Sequence, residues 1–216
     1  MESNRYFFDM QVCKKLKLLY RLGLWVAGLL LLFALLLQSN VFLSKNTPVH
    51  AKILILEGWL PDYALKEGMQ KFKEGEYEQI FTTGGSLERG SYLKEYRDYA
   101  HLAKATLVAM GIDEQEVIAV AAADVKRDRT YHSALALKRW IEVSKIEAKR
   151  LDLASLGPHS RRSSILFQKA FGEDYEIGSI ALVPEDYNPA EWYSSSEGVR
   201  TTIDELIAYI YVILLK

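Results

Sequence analysis

The chain predicts an α/β fold: a Rossmann-like three-layer α/β/α domain with a mainly parallel sheet, preceded by one N-terminal transmembrane helix. Two observations point there. Short apolar runs alternate with helical patterns from residue 51 to the end of the chain, the spacing of crossover units with helices on both faces of a sheet. Before them, residues 22–44 contain no charged side chain, and 24–37 are almost wholly apolar.

A span of about 20 apolar residues crosses the hydrocarbon layer of a bilayer, so residues 22–43 are long enough to do so. Arg5, Lys14, Lys15, Lys17 and Arg21 precede the span, against only Glu2 and Asp9. Basic residues stay on the cytoplasmic side, which makes residues 1–21 a cytoplasmic basic arm and sends the remainder outward. A cleaved secretory signal would end in small residues; here Phe42 and Leu43 stand where those would be needed, so an uncleaved anchor is expected. The expected location is the bacterial inner (cytoplasmic) membrane, single-pass, with the main domain periplasmic or extracellular.

The exported body, 46–216, is large enough for one domain with its own core. Cys13, the sole cysteine, lies in the arm, so the body relies on no disulfide. The whole chain carries a formal charge of −1, and the basic arm leaves about −4 on the rest. That excludes the basic face of a nucleic-acid binder.

Within the body, residues 51–56 read as a buried strand ending at Glu57-Gly58. Pro61 suits the first turn of the next helix, where its missing N–H does no harm, and that helix runs to about Glu74. Residues 79–83 form the second strand, stopped by Gly84-Gly85. A long helix is expected from about Tyr92 to Met110, with Gly111 ending it. Residues 117–120 make the third strand, and Asp128 or Thr130 caps the next helix. Strand four is 151–155, its helix 161–171, and strand five 177–183. A loop with Trp192, Tyr193 and three serines leads to a last helix from about Val199 to Leu215. Its final ten residues are too few to span a bilayer, and a core helix is preferred over one lying on the membrane surface.

Four loops follow the strands: Glu57-Gly58-Trp59, Thr82-Thr83-Gly84-Gly85, Arg127-Asp128-Arg129-Thr130 and His159-Ser160-Arg161-Arg162. In an open parallel sheet ligands bind beyond the carboxyl ends of the strands, where these loops converge. Arginine's planar fork matches phosphate and carboxylate oxygens, and a helix N-terminus adds N–H donors. Arg129, Arg161 and Arg162 are therefore expected to hold an anion. Two arginines opening a helix repel its dipole unless an anion or an acidic side chain compensates, so salt bridges remain the alternative. Thr83, Gly84 and Gly85 bring backbone close to a ligand, or form an ordinary turn. Glu57 and His159 are the candidates for proton transfer, with Glu57 equally able to orient His159 or pair with an arginine. Thr130 contacts the ligand or merely caps its helix. No zinc-protease or clustered cysteine–histidine pattern occurs, so no transition metal is expected, and the cofactor is left open. No G-x-S-x-G elbow is present.

The order Leu-Glu-Gly, Thr-Gly-Gly, Arg-Thr-Tyr-x-Ser-Ala and His-x-Arg-Arg resembles the DUF218 family (ElyC/SanA/YdcF-like), over about residues 53–215. Arg129 stands where many members have Asn, and Pro158 where many have an aromatic, so the chain resembles a divergent membrane-anchored branch. The resemblance places weight on Gly58, Gly84, Gly85, Thr130, His159 and Arg162. It implies a role in the cell envelope or peptidoglycan. The expected partner is a phosphorylated or otherwise anionic small molecule or lipid-linked ligand. The expected function is to bind a phosphate-bearing envelope precursor; whether the body also transforms it, as a hydrolase or transferase, is left open. The rival is a non-catalytic regulatory module in envelope homeostasis.

Overall fold

The buried strand expected after residue 50 is the centre of the molecule's sheet. In the computed structural model, which describes residues 2–87 and 95–215, β1 (Ile53–Glu57) pairs in parallel with β2 (Gln79–Gly84) on one side and β4 (Arg150–Leu156) on the other. The outer strands are β3 (Val117–Ala121) and β5 (Glu176–Leu182), giving the order β3-β2-β1-β4-β5, all parallel. Every residue of β1 is buried: the apolar run Ile53–Leu56 suits a strand covered on both faces, and the Glu57 carboxylate ends it.

Alternation along β1 divides the core. Leu54 and Leu56 pack with α3 (Asp62–Glu74) and α4 (Tyr99–Ala109), through Leu65, Phe72 and Leu107. Ile53 and Ile55 pack on the opposite face against α5 (Arg129–Val143) and α6 (His159–Phe171), through Leu137, Ile141 and Phe167. The three-layer α/β/α arrangement is thus present. α4 is shorter than expected: Asp98 caps it, accepting from His101 N at 2.8 Å. The expected helical residues 92–94 lie outside the described residues.

The chain forms two compact units divided between Ser39 and Asn40. The first holds α1 (Glu2–Leu37), whose Leu19–Leu37 stretch is long and apolar enough to cross a membrane. The division falls inside α2 (Ser39–Leu43), whose residues from Asn40 onward belong to the second. The anchor was expected to continue to residue 43, but Leu43 is fully buried in the body. Asn40 Nδ2 donates to Thr202 Oγ1 at 2.8 Å and to Tyr187 Oη at 3.1 Å. A polar amide at residue 40 that finds buried partners takes these residues out of the anchor.

The strand leading into β1 is held by a carboxylate. Asp152, fully buried in β4, accepts from Val49 N at 2.7 Å, Ala51 N at 3.0 Å and Tyr77 Oη at 3.0 Å. Burial, followed by the charge of Asp152, pushes the Tyr77 phenol's pKa up. Space for the carboxylate comes from Gly178 on β5, where a Cβ would stand 1.9 Å from Asp152 Oδ1.

The last helix, α7 (Ser196–Leu215), follows a 3-10 turn over Pro189–Ser194. Only Gly198, Thr202 and Val212 of α7 are buried, so it is a covering helix against α6 and the preceding turn, not the core helix preferred from its composition. Helix composition reports apolarity, but not whether a second layer exists to bury it.

Removing the Asp152 carboxylate leaves three donors without an acceptor in the protein interior. Asp152→Ala is expected to lower stability by about 2–4 kcal/mol. Gly178→Ala should destabilise as well, by forcing the same carboxylate aside. Denaturant unfolding followed by tryptophan fluorescence checks both.

Candidate functional site

The winding order switches at β1: β2 and β3 are added on one side of it, and β4 and β5 on the other. Such a switch point opens a crevice between the loops at the carboxyl ends of the two central strands. Here it holds a cleft of about 820 Å³. Glu57 ends β1 at its floor, and His159 opens α6 directly after β4. The turn between β4 and α6 depends on Gly157. Its φ is +42°, in the left-handed region, and its missing Cβ would meet Pro184 Cγ at 2.8 Å.

A network of alternating charges lies at the floor. His159 Nδ1 donates to Glu205 Oε1 of α7 at 2.7 Å. Arg162, one turn further along α6, donates to both oxygens of Glu205, from Nε at 2.8 Å and Nη2 at 2.9 Å. The other ring nitrogen, His159 Nε2, faces Glu57 Oε1 at 3.8 Å, an ion-pair distance too long for a hydrogen bond. Glu57 Oε2 accepts from Ser155 Oγ, and from Ser163 Oγ at 3.1 Å. Trp59 sets its ring edge-on to His159, with centroids 4.9 Å apart.

Electrostatics follow from this geometry. Burial alone would lower the pKa of His159. The charge of Glu57 and the hydrogen bond to Glu205 outweigh it and raise the pKa to about 9. The raised pKa favours the protonated ring at neutral pH, although Arg162 Nη2 also stands 2.9 Å from Nδ1. Burial would raise Glu205, but its bonds to His159 and Arg162 hold it at about 2. Burial likewise opposes ionisation of Glu57, and the imidazolium's charge prevails to keep its pKa below the ordinary value.

Two polar atoms at this floor are buried without a hydrogen-bond partner: His159 Nε2 and Thr83 Oγ1. Buried polar atoms are normally paired, so these two are exceptions: the nearest carboxylate oxygen to Nε2 is Glu57 Oε1 at 3.8 Å, and both His159 and Thr83 line the cleft.

Of the residues singled out in the sequence, Glu57, Thr83, Gly84, Gly85, Arg129, Thr130, His159 and Arg162 all line the cleft. Gly58 and Arg161 are not among its lining residues. Gly58 N donates to Thr83 O at 2.6 Å, and a Cβ there would stand 2.4 Å from Tyr99 O, so this glycine lets α4 approach the sheet. Gly84 has the same constraint, its Cβ position being 2.7 Å from Tyr99 Cβ. The Arg161 guanidinium lies 4.0 Å over the Phe42 ring and donates to Phe42 O, fastening α2 to α6. Arg162 is bound by Glu205, the acidic compensation that a cation at a helix start demands. Asp128, not Thr130, occupies the cap position of α5, with φ 57°.

Sequence reasoning missed Glu205. Its only signal is a carboxylate immediately before ten uncharged residues, with nothing to say what it meets. It also missed the polarity of the walls. Lys126, Asp128 and Arg129 lie on the side of β3 and α5, and Asp186, Glu197 and Asp204 on the side of β5 and α7. The cleft is therefore lined by both signs of charge, not the uniformly positive hollow that the arginines suggest. Among the described residues, no group of three His, Cys, Asp or Glu side chains is placed to hold a metal ion. No family model matches the chain, and no curated protein matches it.

The network has a defined pH window. His159, raised from 6.5 to about 9, contributes its full stabilisation below pH 6.5 and loses it as pH rises through 9. Glu205, lowered from 4.5 to about 2, contributes fully above pH 4.5 and loses it as pH falls through 2. The unfolding temperature should therefore decline between pH 6.5 and 9. Glu205→Gln should flatten that decline and cost about 3 kcal/mol near neutrality, because it leaves buried cations unpaired. Thermal scans across pH on both proteins measure this.

Proposed function

We propose that the protein is a single-pass inner-membrane protein, N-terminus inside, whose exported body binds a phosphate-bearing envelope precursor in the cleft and cleaves or transfers it. The observation that carries this reading is the buried His159 ring in the cleft wall, whose Nε2 has no hydrogen-bond partner. The resemblance to the DUF218 family supports the envelope setting, including a link to peptidoglycan.

In this reading the anion lies against the N-terminus of α5, where the first-turn N–H groups of a 15-residue helix have no partner within the helix. Lys126 and Arg129 supply positive charge there, and Thr83 and Gly85 border the same end. His159 acts as general acid. For hydrolysis, a water oxygen bonds to phosphorus as the phosphorus–oxygen bond to the leaving group breaks. The departing oxygen takes the Nε2 proton, and Glu57 takes the proton of the attacking water. Arg162 and Glu205 position the ring and do not touch the ligand.

One observation favours the rival, a binding module without turnover. Glu57 already accepts two serine hydroxyls and faces an imidazolium, which weakens it as a base.

Inorganic diphosphate titrated against the full-length protein is the first test. Binding is expected, and Arg129→Ala should weaken it by about tenfold or more, the worth of a charge-assisted hydrogen bond. His159→Gln should abolish phosphate release from a diphosphate ester. Binding without any turnover selects the module, and no binding at all removes the anion site.

A further inference from the structure

The charges that line the cleft exceed what a bare phosphate would balance, and with the wrong sign. Among the described residues, four cationic side chains and six carboxylates line it, a net of −2 with the His159 ring protonated. Part of this charge is matched inside the network: Arg162 and His159 are bonded to Glu205, and Glu57 faces the ring. The remainder is uneven. Lys126, Asp128 and Arg129 carry a net +1 on the side of β3 and α5, and Asp186, Glu197 and Asp204 carry −3 on the side of β5 and α7.

The acidic side is built largely on one helix. Glu197, Thr201, Asp204, Ala208 and Tyr211 follow the i, i+4, i+7, i+11, i+14 spacing of a single face of α7, and all five line the cleft. Asp204 has no hydrogen bond or ion pair among the described residues. Glu197 pairs at 3.1 Å with Arg200, which is not a lining residue, and Asp186 accepts from Tyr63 Oη at 3.1 Å. Acidic side chains on a helix are ordinarily a solvated face. A second observation, independent of charge, points to a ligand in the same hollow: Thr83, 1% exposed, lines it with a hydroxyl oxygen that has no partner. Trp59, Tyr99 and Tyr211 line it too, and the faces of such rings attract cations.

A phosphate seated near Thr83 and the start of α5 neutralises the net positive charge of that side. The rest of the ligand then meets three carboxylates and aromatic rings. An alkyl or hydroxyl group there leaves the carboxylates uncompensated, whereas an ammonium suits both. No three of the cleft's acidic or histidine side chains are grouped to hold a metal ion, which favours a monovalent cation carried by the ligand itself.

We propose that the ligand of the cleft is a phosphate ester that also carries an ammonium group, held by the carboxylates of Asp186, Glu197 and Asp204. The proposal rests on the reading of the cleft as a phosphate site. It adds the substrate class, which is an aminoalkyl or amino-sugar phosphate in place of its neutral counterpart.

The test is titration calorimetry on the full-length protein in detergent, without divalent metal, using two matched pairs of esters. Ethanolamine phosphate is compared with propyl phosphate, and glucosamine 6-phosphate with glucose 6-phosphate; the pairs place the nitrogen at different distances from phosphorus. Expected is binding about tenfold tighter for the amine in at least one pair, the scale of a charge-assisted hydrogen bond. Asp204→Asn combined with Glu197→Gln should shrink that preference several-fold, and both positions are exposed, so folding should tolerate the change. Equal affinities within both pairs, with inorganic diphosphate still bound, overturn the ammonium while the phosphate reading stands. A preference that persists undiminished in the double variant overturns the acidic face as its source, and the proposal with it. Esters that bind only after magnesium is added assign the carboxylates to a metal and overturn it as well. No binding of any phosphate compound, diphosphate included, removes the phosphate site itself, and this inference falls with it.

Discussion

The imidazolium of His159, held between Glu57 and Glu205, is the interaction on which the architecture of the site depends. It joins the end of β1, the start of α6 and the inner face of α7, three elements far apart in sequence. Burying these groups is costly, and the cost is contained because charges alternate: two carboxylates face an imidazolium and a guanidinium. Removing any one of them leaves an uncompensated charge among poorly solvated neighbours, which makes the set cooperative. Hydrophobic residues of similar volume would cover the sheet edge with less electrostatic cost. The network instead keeps charged groups at the floor of a switch-point cleft, with one ring nitrogen lacking a hydrogen-bond partner.

The second organising constraint lies at the opposite end of the sheet. Asp152 ties the incoming residues Val49 and Ala51 to β4, while Ser160 and Ser179 donate to the carbonyl of Lys45. Together with Arg161 on Phe42, these bonds bind residues 42–51 to β4, β5 and the helix that carries His159 and Arg162.

The sheet was legible because buried parallel strands leave continuous apolar runs, and the glycines and charged residues that punctuate them mark the loops. The convergence of Glu57, Thr83, Arg129 and His159 followed from topology alone, since alternating strands and helices deliver their loops to one edge. Pairing was not legible. Whether Arg162 meets a ligand or an acid is decided by Glu205, 43 positions away on a helix whose docking no local pattern encodes. Gly58 and Gly84 look like ligand-contacting glycines, and only coordinates show the Tyr99 backbone and side chain filling that space. The end of the apolar helix was misplaced by a few residues for the same reason. Val41, Phe42 and Leu43 are as hydrophobic as an anchor, and the partners of Asn40 lie some 150 residues downstream.

Nitrogen NMR of the His159 ring at pH 7.5 tests the account most directly. Both ring nitrogens are predicted to be protonated, in a single imidazolium state that persists to about pH 9. A neutral ring at that pH, in either tautomer, would contradict the charge-alternating network and, with it, the general acid placed in the cleft.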